Sequence, residues 1–253
     1  MDKNFFIEYY TLEREHWWFK ARMEILRTHI QALNLSQPLK ILNVGVASGA
    51  TSLMLKEFGE VTSLEYDEHY VKYIRNSLPE FEIDHGSILS LPYKTESFDL
   101  VCAFDVLEHV QDDVLSVAEL KRVCKPEKTI TITVPYLMLL WSQHDAVNHH
   151  LRRYTRKQVK SLFKTEGNII FLSFFNCWLF PLIAFFRIIS NFLPDNFLRK
   201  NNQAGSDFSV HQPKWLEHLF FRIMRSEKFF IKNKISLPIG LSILLSFRKN
   251  RIN

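Results

Sequence analysis

Five short apolar runs alternate with helical stretches between Pro38 and Pro135, and that order of elements strongly favours a parallel sheet with helices on both faces. The runs are KILNVG (40–45), VTSLEY (61–66), FEIDHG (81–86), SFDLVCAFDV (97–106) and TITITVP (129–135). Each is short, apolar or β-branched, and bounded by Gly, Pro, Asp or Ser, which is how a buried strand reads. The segments ATSLMLKEFG, DEHYVKYIRNSL and VLSVAELKRVC supply helices, with Asp112 or Asp113 as the N-cap of the last. Gly59 reads as the stop of the first of them.

Beyond residue 150 the pattern changes. Thr155 and Gln158 form a capping-box pair for RKQVKSLFKTE, with Gly167 as its expected stop. Residues 168–186 then carry no charge, nearly the length of a membrane span. Asn176 and Pro181 lie inside that stretch, however, and IIFLSFF is β-branched and aromatic. The reading is a sixth buried strand followed by an apolar helix. A closing strand is expected near residues 239–247, and the intervening stretch is far longer than an ordinary loop. The fold expected is therefore α/β: a Rossmann-like, doubly wound, mostly parallel seven-stranded sheet with helices on both faces and a long insertion before the last strand. Its expected parts are a helical lid (1–36), a core (37–175), an apolar and basic insertion (176–238), and a closing strand with a tail (239–253).

The loop after the first run, Asn43-Val44-Gly45-Val46-Ala47-Ser48-Gly49, has small residues at every second position, letting the backbone turn tightly against a ligand. It completes neither a G-x-G-x-x-G nor a G-x-x-x-x-G-K-[ST] pattern. Glu65 ends the second run, where a carboxylate can accept both hydroxyls of a ribose. Gly86-Ser87-Ile88 follows the third, and Asp105-Val106-Leu107-Glu108-His109 the fourth.

On those motifs the chain resembles the class I S-adenosylmethionine-dependent methyltransferases over roughly residues 15–175. The resemblance implies S-adenosylmethionine as cofactor, with Gly45, Ala47 and Gly49 under its methionine part. It further implies Glu65 at the ribose, Tyr66 at the adenine face, Ser87 and Ile88 at the adenine edge, and Phe104 and Asp105 beside the sulfonium. Asn43 stands where the family usually has an aspartate facing the cofactor's ammonium, Ala47 replaces the middle glycine, and Ser87 replaces an aspartate. Those departures leave a second reading: a binding protein that keeps the methyltransferase fold with a degenerate cofactor loop. The stretch WSQHDAVNHHLRRYT (141–155) and the aromatic HWWFKAR resemble a bacterial subset that accompanies cell-surface glycan synthesis.

Residues 141–155 follow the fifth strand directly and should border the methyl acceptor. His144, Asp145 and His150 are the candidate catalytic groups, imidazole as base with Asp145 able to orient it. The spacing of His144, Asp145, His149 and His150 matches no metal site, and no metal is expected. Arg152 and Arg153 offer forks suited to phosphate or carboxylate.

Charge is uneven: residues 187–253 hold 12 Lys/Arg against 4 Asp/Glu within a chain of net charge +5. That asymmetry suits an anionic partner. The expected acceptor is a small molecule or glycan precursor, anionic or lipid-linked, met at an anionic membrane surface. The Lys/Arg residues are interleaved with apolar runs rather than set in a stripe, so nucleic acid is not the expected partner. Three scattered cysteines (Cys102, Cys124, Cys177) and a first stretch unlike a signal peptide point to a cytoplasmic protein, peripheral at the inner membrane face in the lipid-linked reading.

Overall fold

The computed structural model describes residues 10–78, 81–192 and 213–251. Seven strands form one sheet: β1 (Leu39–Val44), β2 (Gly59–Glu65), β3 (Ile83–His85), β4 (Phe98–Phe104), β5 (Cys124–Pro135), β6 (Gly167–Phe175) and β7 (Ser242–Lys249). Their spatial order is β3-β2-β1-β4-β5-β7-β6. The first five pair in parallel, and β7 runs antiparallel to both β5 and β6. The order reverses between β1 and β4, and open α/β sheets bind ligands outside the strand ends at such a switch point.

The helices are α1 (Trp17–Ala32), α2 (Ala50–Leu55), α3 (Glu68–Ser77), α4 (Asp113–Val123), α5 (Gln143–Val147), α6 (Arg156–Leu162), α7 (Phe180–Phe192), α8 (Lys214–Ser226) and α9 (Lys228–Lys232). Residues 10–15 are also helical. Asp112 caps α4 by accepting from the Leu115 N–H at 2.8 Å, and Thr155 with Gln158 forms the capping box of α6. One face of the sheet packs through Leu42, Val101, Ile130, Leu245 and Phe247 against α4 and α6. The other packs through Ile41, Leu100, Phe171 and Leu244 against α1, whose Ile25 and Leu26 are fully buried.

The expected lid therefore divides. Residues 17–32 form a layer of the core, because the apolar stripe of α1 faces the sheet. Residues 1–9 lie outside the described residues, as do residues 193–212 of the insertion. Within the described part of the insertion, α8 and α9 lie against α1: Glu24 pairs with Arg225 at 2.6 Å and Lys228 at 3.0 Å.

Two glycines have other work than the helix stops expected of them. Gly59 and Gly167 each open a strand where a Cβ would lie 2.0 Å from the Leu39 carbonyl oxygen and 2.1 Å from that of Arg248. Close strand approach, not a left-handed turn, calls for glycine at both. The uncharged stretch 168–186 becomes β6 and the first half of α7. Among the described residues, no helix is long and apolar enough to cross a membrane.

Candidate functional site

A cavity of roughly 1360 Å³ opens at the carboxyl ends of the parallel strands, lined by Val44, Glu65, Phe104 and Pro135 among others. Ordinary single-ligand pockets hold about 300–1,000 Å³. This one has room for a cofactor and an acceptor together.

The glycine loop forms one wall. Gly45 has φ 69°, and a Cβ there would meet Val106 Cγ2 at 2.5 Å. Ala47 sits at φ 46° and Gly49 at φ 82°, both left-handed. Glu65 fixes the loop: one carboxylate oxygen accepts from the Ala47 N–H at 2.8 Å, the other from the Tyr66 and Asp67 N–H groups at 2.8 and 3.0 Å. Gly45, Ala47, Glu65, Tyr66, Ser87, Ile88, Phe104 and Asp105 all line the cavity. That cradle of backbone with a carboxylate at the end of β2 fits the shape and hydroxyls of a nucleoside-bearing sulfonium cofactor.

Two of the expected cofactor contacts stand elsewhere. Asn43 is buried and turned away, its Nδ2 donating to Thr51 Oγ1 at 2.9 Å and Ser52 Oγ at 2.8 Å. It ties β1 to α2 and does not line the cavity. Gly49 is the N-cap of α2 and faces the ring of Phe81, 3.1 Å from where a Cβ would be.

From the other side, residues 10–15 latch onto the loop. Arg14 donates to Ser48 Oγ at 2.9 Å and to the Ser48 carbonyl at 3.2 Å, while Ser48 Oγ donates to Glu13. Burial pushes the Glu13 carboxyl above its ordinary value, against the opposing Ser48 hydrogen bond and the charges of Arg22 and Arg14. Asp105 ends β4 at φ 58°, accepting from Arg22 at 2.6 Å and from Thr133 Oγ1 at 3.0 Å.

The acceptor end is histidine-rich. His109, His144 and His150 line the cavity, whereas Asp145 lies fully buried behind them. Asp145 closes the capping box of α5 with Ser142. It accepts from His150 Nδ1 at 2.8 Å and from the Arg153 fork at 2.8 and 3.0 Å. Burial alone would raise its carboxyl, but the His150 and Arg153 hydrogen bonds and the Arg153 charge hold it well below the usual range. Asp145 thus orients His150 from behind. His144 lies beside Asn148, whose Nδ2 is 3.3 Å from His144 Nδ1.

Neither arginine offers its fork to a ligand as expected. Arg153 is spent on Asp145, and Arg152 pairs with Asp113 at 3.1 Å and the Gln111 carbonyl at 2.8 Å.

Glu108 and His109, in a 3-10 turn over Leu107–His109, complete the floor. Glu108 is fully buried, and neither carboxylate oxygen has a hydrogen-bond partner among the described residues. Burial, then the Asp105 charge, pushes its carboxyl well above the usual range. Burial and the neighbouring His150 bring His109 down to about 4.

Arg22 and Glu108 belong to the site without having been assigned to it from sequence, and Arg153 belongs to it in a different role from the ligand fork expected. Arg22 adjoins the aromatic cluster His16-Trp17-Trp18-Phe19, and Glu108 precedes a histidine at the end of an apolar strand; those were the signals present.

A methyltransferase-domain family matches residues 42–132. A protein of Mycolicibacterium smegmatis named a probable S-adenosylmethionine-dependent methyltransferase is 27% identical over 158 residues, 62% of this chain and 61% of its own. A demethylmenaquinone methyltransferase of Listeria welshimeri is 27% identical over 117 residues, 43% of this chain and 50% of its own. The matches thus span between half and about three fifths of these relatives' lengths. Among solved structures, a candidate methyltransferase of Bacillus halodurans superposes with a TM-score of 0.57 at 17% identity, covering 89% of this chain and 99% of its own, and so shares the fold. In its matched domain, its relatives and its fold, this chain is similar to the class I S-adenosylmethionine-dependent methyltransferases.

Proposed function

We propose that the chain transfers the methyl group of S-adenosylmethionine to an oxygen or nitrogen of a small acceptor with an apolar body, a glycan precursor or lipid-linked molecule among the candidates. The observation that carries this is the continuity of one cavity from the Gly45–Glu65 wall to the His109, His144 and His150 end. When bound, the cofactor supplies an electrophilic methyl on a sulfonium. Glu65 would hold its ribose, Tyr66 and Ile88 its adenine, and the loop from Gly45 to Ala47 its methionine part. Methyl transfer is an in-line displacement, so most of the rate comes from alignment of the two reactants. The protein's own share is to grip the acceptor at the histidine end, with His144 and the Asp145-oriented His150 as bases within reach of its proton.

The apolar character of the acceptor is read from the mouth of the cavity. Leu182, Ile183, Phe186, Leu216 and Phe220 line it, and Leu182, Phe185, Phe186 and Ile189 of α7 are exposed. An apolar helix face at the mouth of the site, with the basic C-terminal quarter of the chain, suits a lipid-linked acceptor met at an anionic membrane surface. With Arg152 and Arg153 engaged inside the protein, an anionic acceptor rests on that basic quarter alone. Cosedimentation with anionic vesicles at low salt tests the membrane part, and a protein that stays in the supernatant ends it. The glycan assignment draws on the resemblance of residues 141–155 to bacterial members of that kind.

One observation favours a second reading, a binding protein without turnover. Asn43 offers the cofactor's ammonium no charge, and both Glu65 oxygens already accept backbone N–H groups. Calorimetric titration with S-adenosylmethionine and S-adenosylhomocysteine separates the two. Micromolar binding abolished by Glu65→Ala supports the enzyme, and no binding by the folded protein supports the degenerate scaffold.

A further inference from the structure

We infer that Glu108, His109 and His150 form a divalent-cation site at the histidine end of the cavity, and that the cation grips the acceptor's oxygen. The inference rests on the methyl-transfer reading and names the group that holds the nucleophile within it.

The three side chains come from two segments far apart in sequence, the turn after β4 and the stretch after α5. One potential ligand atom from each lies within 4.8 Å of the others. Ligands on one ion at about 2.0–2.2 Å stand ~3.5 Å apart, so closing the set needs only a small movement of side chains. The rings of His109 and His150 are already perpendicular, with centroids 4.7 Å apart.

Glu108 is an independent indication. Buried polar atoms almost always have partners, yet this carboxyl is fully buried with neither oxygen hydrogen-bonded among the described residues. The two other carboxylates nearby are each matched by a guanidinium, Asp105 by Arg22 and Asp145 by Arg153. Glu108 has no such ion pair among the described residues, and a cation held between it and two imidazoles would take the place of its proton and give the buried oxygens a partner.

His150 is also fixed as a ligand usually is, by a hydrogen bond at the second ring nitrogen. His150 gives Nδ1 to Asp145 at 2.8 Å, leaving Nε2 as the ligand atom. His109 is hydrogen-bonded to the backbone of His149. Two imidazoles and one carboxylate suit Zn²⁺, Mn²⁺, Co²⁺ or Fe²⁺ better than Ca²⁺ or Mg²⁺, and three protein ligands leave coordination positions open toward the cavity. An acceptor hydroxyl bound there loses its proton more readily. The proton passes to His144 or solvent, the new O–CH₃ bond forms as the S–CH₃ bond breaks, and the sulfur leaves as a neutral thioether. His150 then serves as ligand, which leaves His144 as the base.

The test uses the purified full chain, stripped with a chelator and titrated with Zn²⁺, Mn²⁺, Co²⁺ and Mg²⁺, with bound metal counted by mass spectrometry. Glu108→Gln and His150→Asn are compared with it, and S-adenosylmethionine binding is measured in all three. The expected result is one transition-metal ion per chain, weakened at least 100-fold by either substitution, with cofactor affinity changed less than threefold. Glu108→Gln preserves side-chain shape, and circular dichroism confirms that each variant is folded. No stoichiometric metal on the wild type, or metal that remains on both variants, overturns the site. Loss of cofactor binding by the wild type would instead overturn the methyl-transfer reading beneath it.

Discussion

Arg22 of α1 and Asp105 at the end of β4 meet at 2.6 Å, joining the N-terminal helix to the strand end beside the glycine loop. Arg22 is nearly buried, and its guanidinium is also 5.8 Å from the Trp18 ring and 6.0 Å from that of Phe104. One side chain thus couples the packing of α1 to the shape of the cavity.

Arg22→Met should therefore cost both stability and binding. A hydrogen bond to a charged group is worth about 1.5–3 kcal/mol, and among the described residues the Asp105 side chain would keep only Thr133. Chemical denaturation is expected to show a loss of about 2 kcal/mol, and calorimetry a weaker cofactor.

Glu65→Ala removes the acceptor of three backbone N–H groups at once. The loop from Gly45 to Ala47 loses its tie to β2, and cofactor affinity should fall at least 100-fold, on the order of 3 kcal/mol. An affinity within threefold of the wild type would refute the assigned role.

Ala47→Gly should help. Ala47 holds a left-handed φ of 46°, which costs an L-residue about 1–2 kcal/mol, partly offset by the greater freedom of an unfolded glycine. A net gain of about 0.5 kcal/mol in thermal or denaturant unfolding is expected, with equal or tighter cofactor binding.

Glu227 gives the fold a pH dependence away from the histidine end. Its carboxylate accepts from the N–H groups of Asn176, Cys177 and Trp178, anchoring the start of α7 to the end of α8. Burial nevertheless raises it to about 7 from an ordinary 4.5. The folded state thus favours the proton, so this contribution is complete below about 4.5 and lost as pH rises through about 7. Melting curves between pH 4.5 and 8 should show that decline, and Glu227→Gln should flatten it.

His29 acts in the opposite direction. It is buried against Phe171, with Nε2 2.7 Å from Ser246 Oγ, and burial lowers it to about 3 from 6.5. Its contribution is complete above 6.5 and lost as pH falls toward 3, because the unfolded chain takes up the proton first. His29→Gln should reduce the acid-side slope of the melting temperature between pH 6.5 and 4.

Much of the architecture was legible because strands and helices carry their periods locally. TITITVP reads as a strand in any context, and Thr155 with Gln158 marks a helix start within four residues. Gly59 and Gly167 were misread because the need for glycine comes from Leu39 and Arg248, which no local window contains. The same holds at the site. Glu65 announces itself at a strand end, but Arg22 acquires its role only across 83 residues, and Glu108 only when the fold brings His150 beside it. Arg153 looked like a ligand fork because its partner, Asp145, also looked like a catalytic group. Sequence shows the two charges and not that they satisfy each other.

The place of β7 bears on how the molecule assembles. Made after every other strand, it slots between β5 and β6 and is buried along nearly its whole length. Until then β5 offers an open edge and β6 has no neighbour. Contacts this remote in sequence form slowly, and unpaired apolar edges attract other chains. Chains interrupted before residue 242 should therefore gather into aggregates rather than persist as shortened folded proteins, and a chaperone that shields the β5 edge would have its greatest effect during that interval.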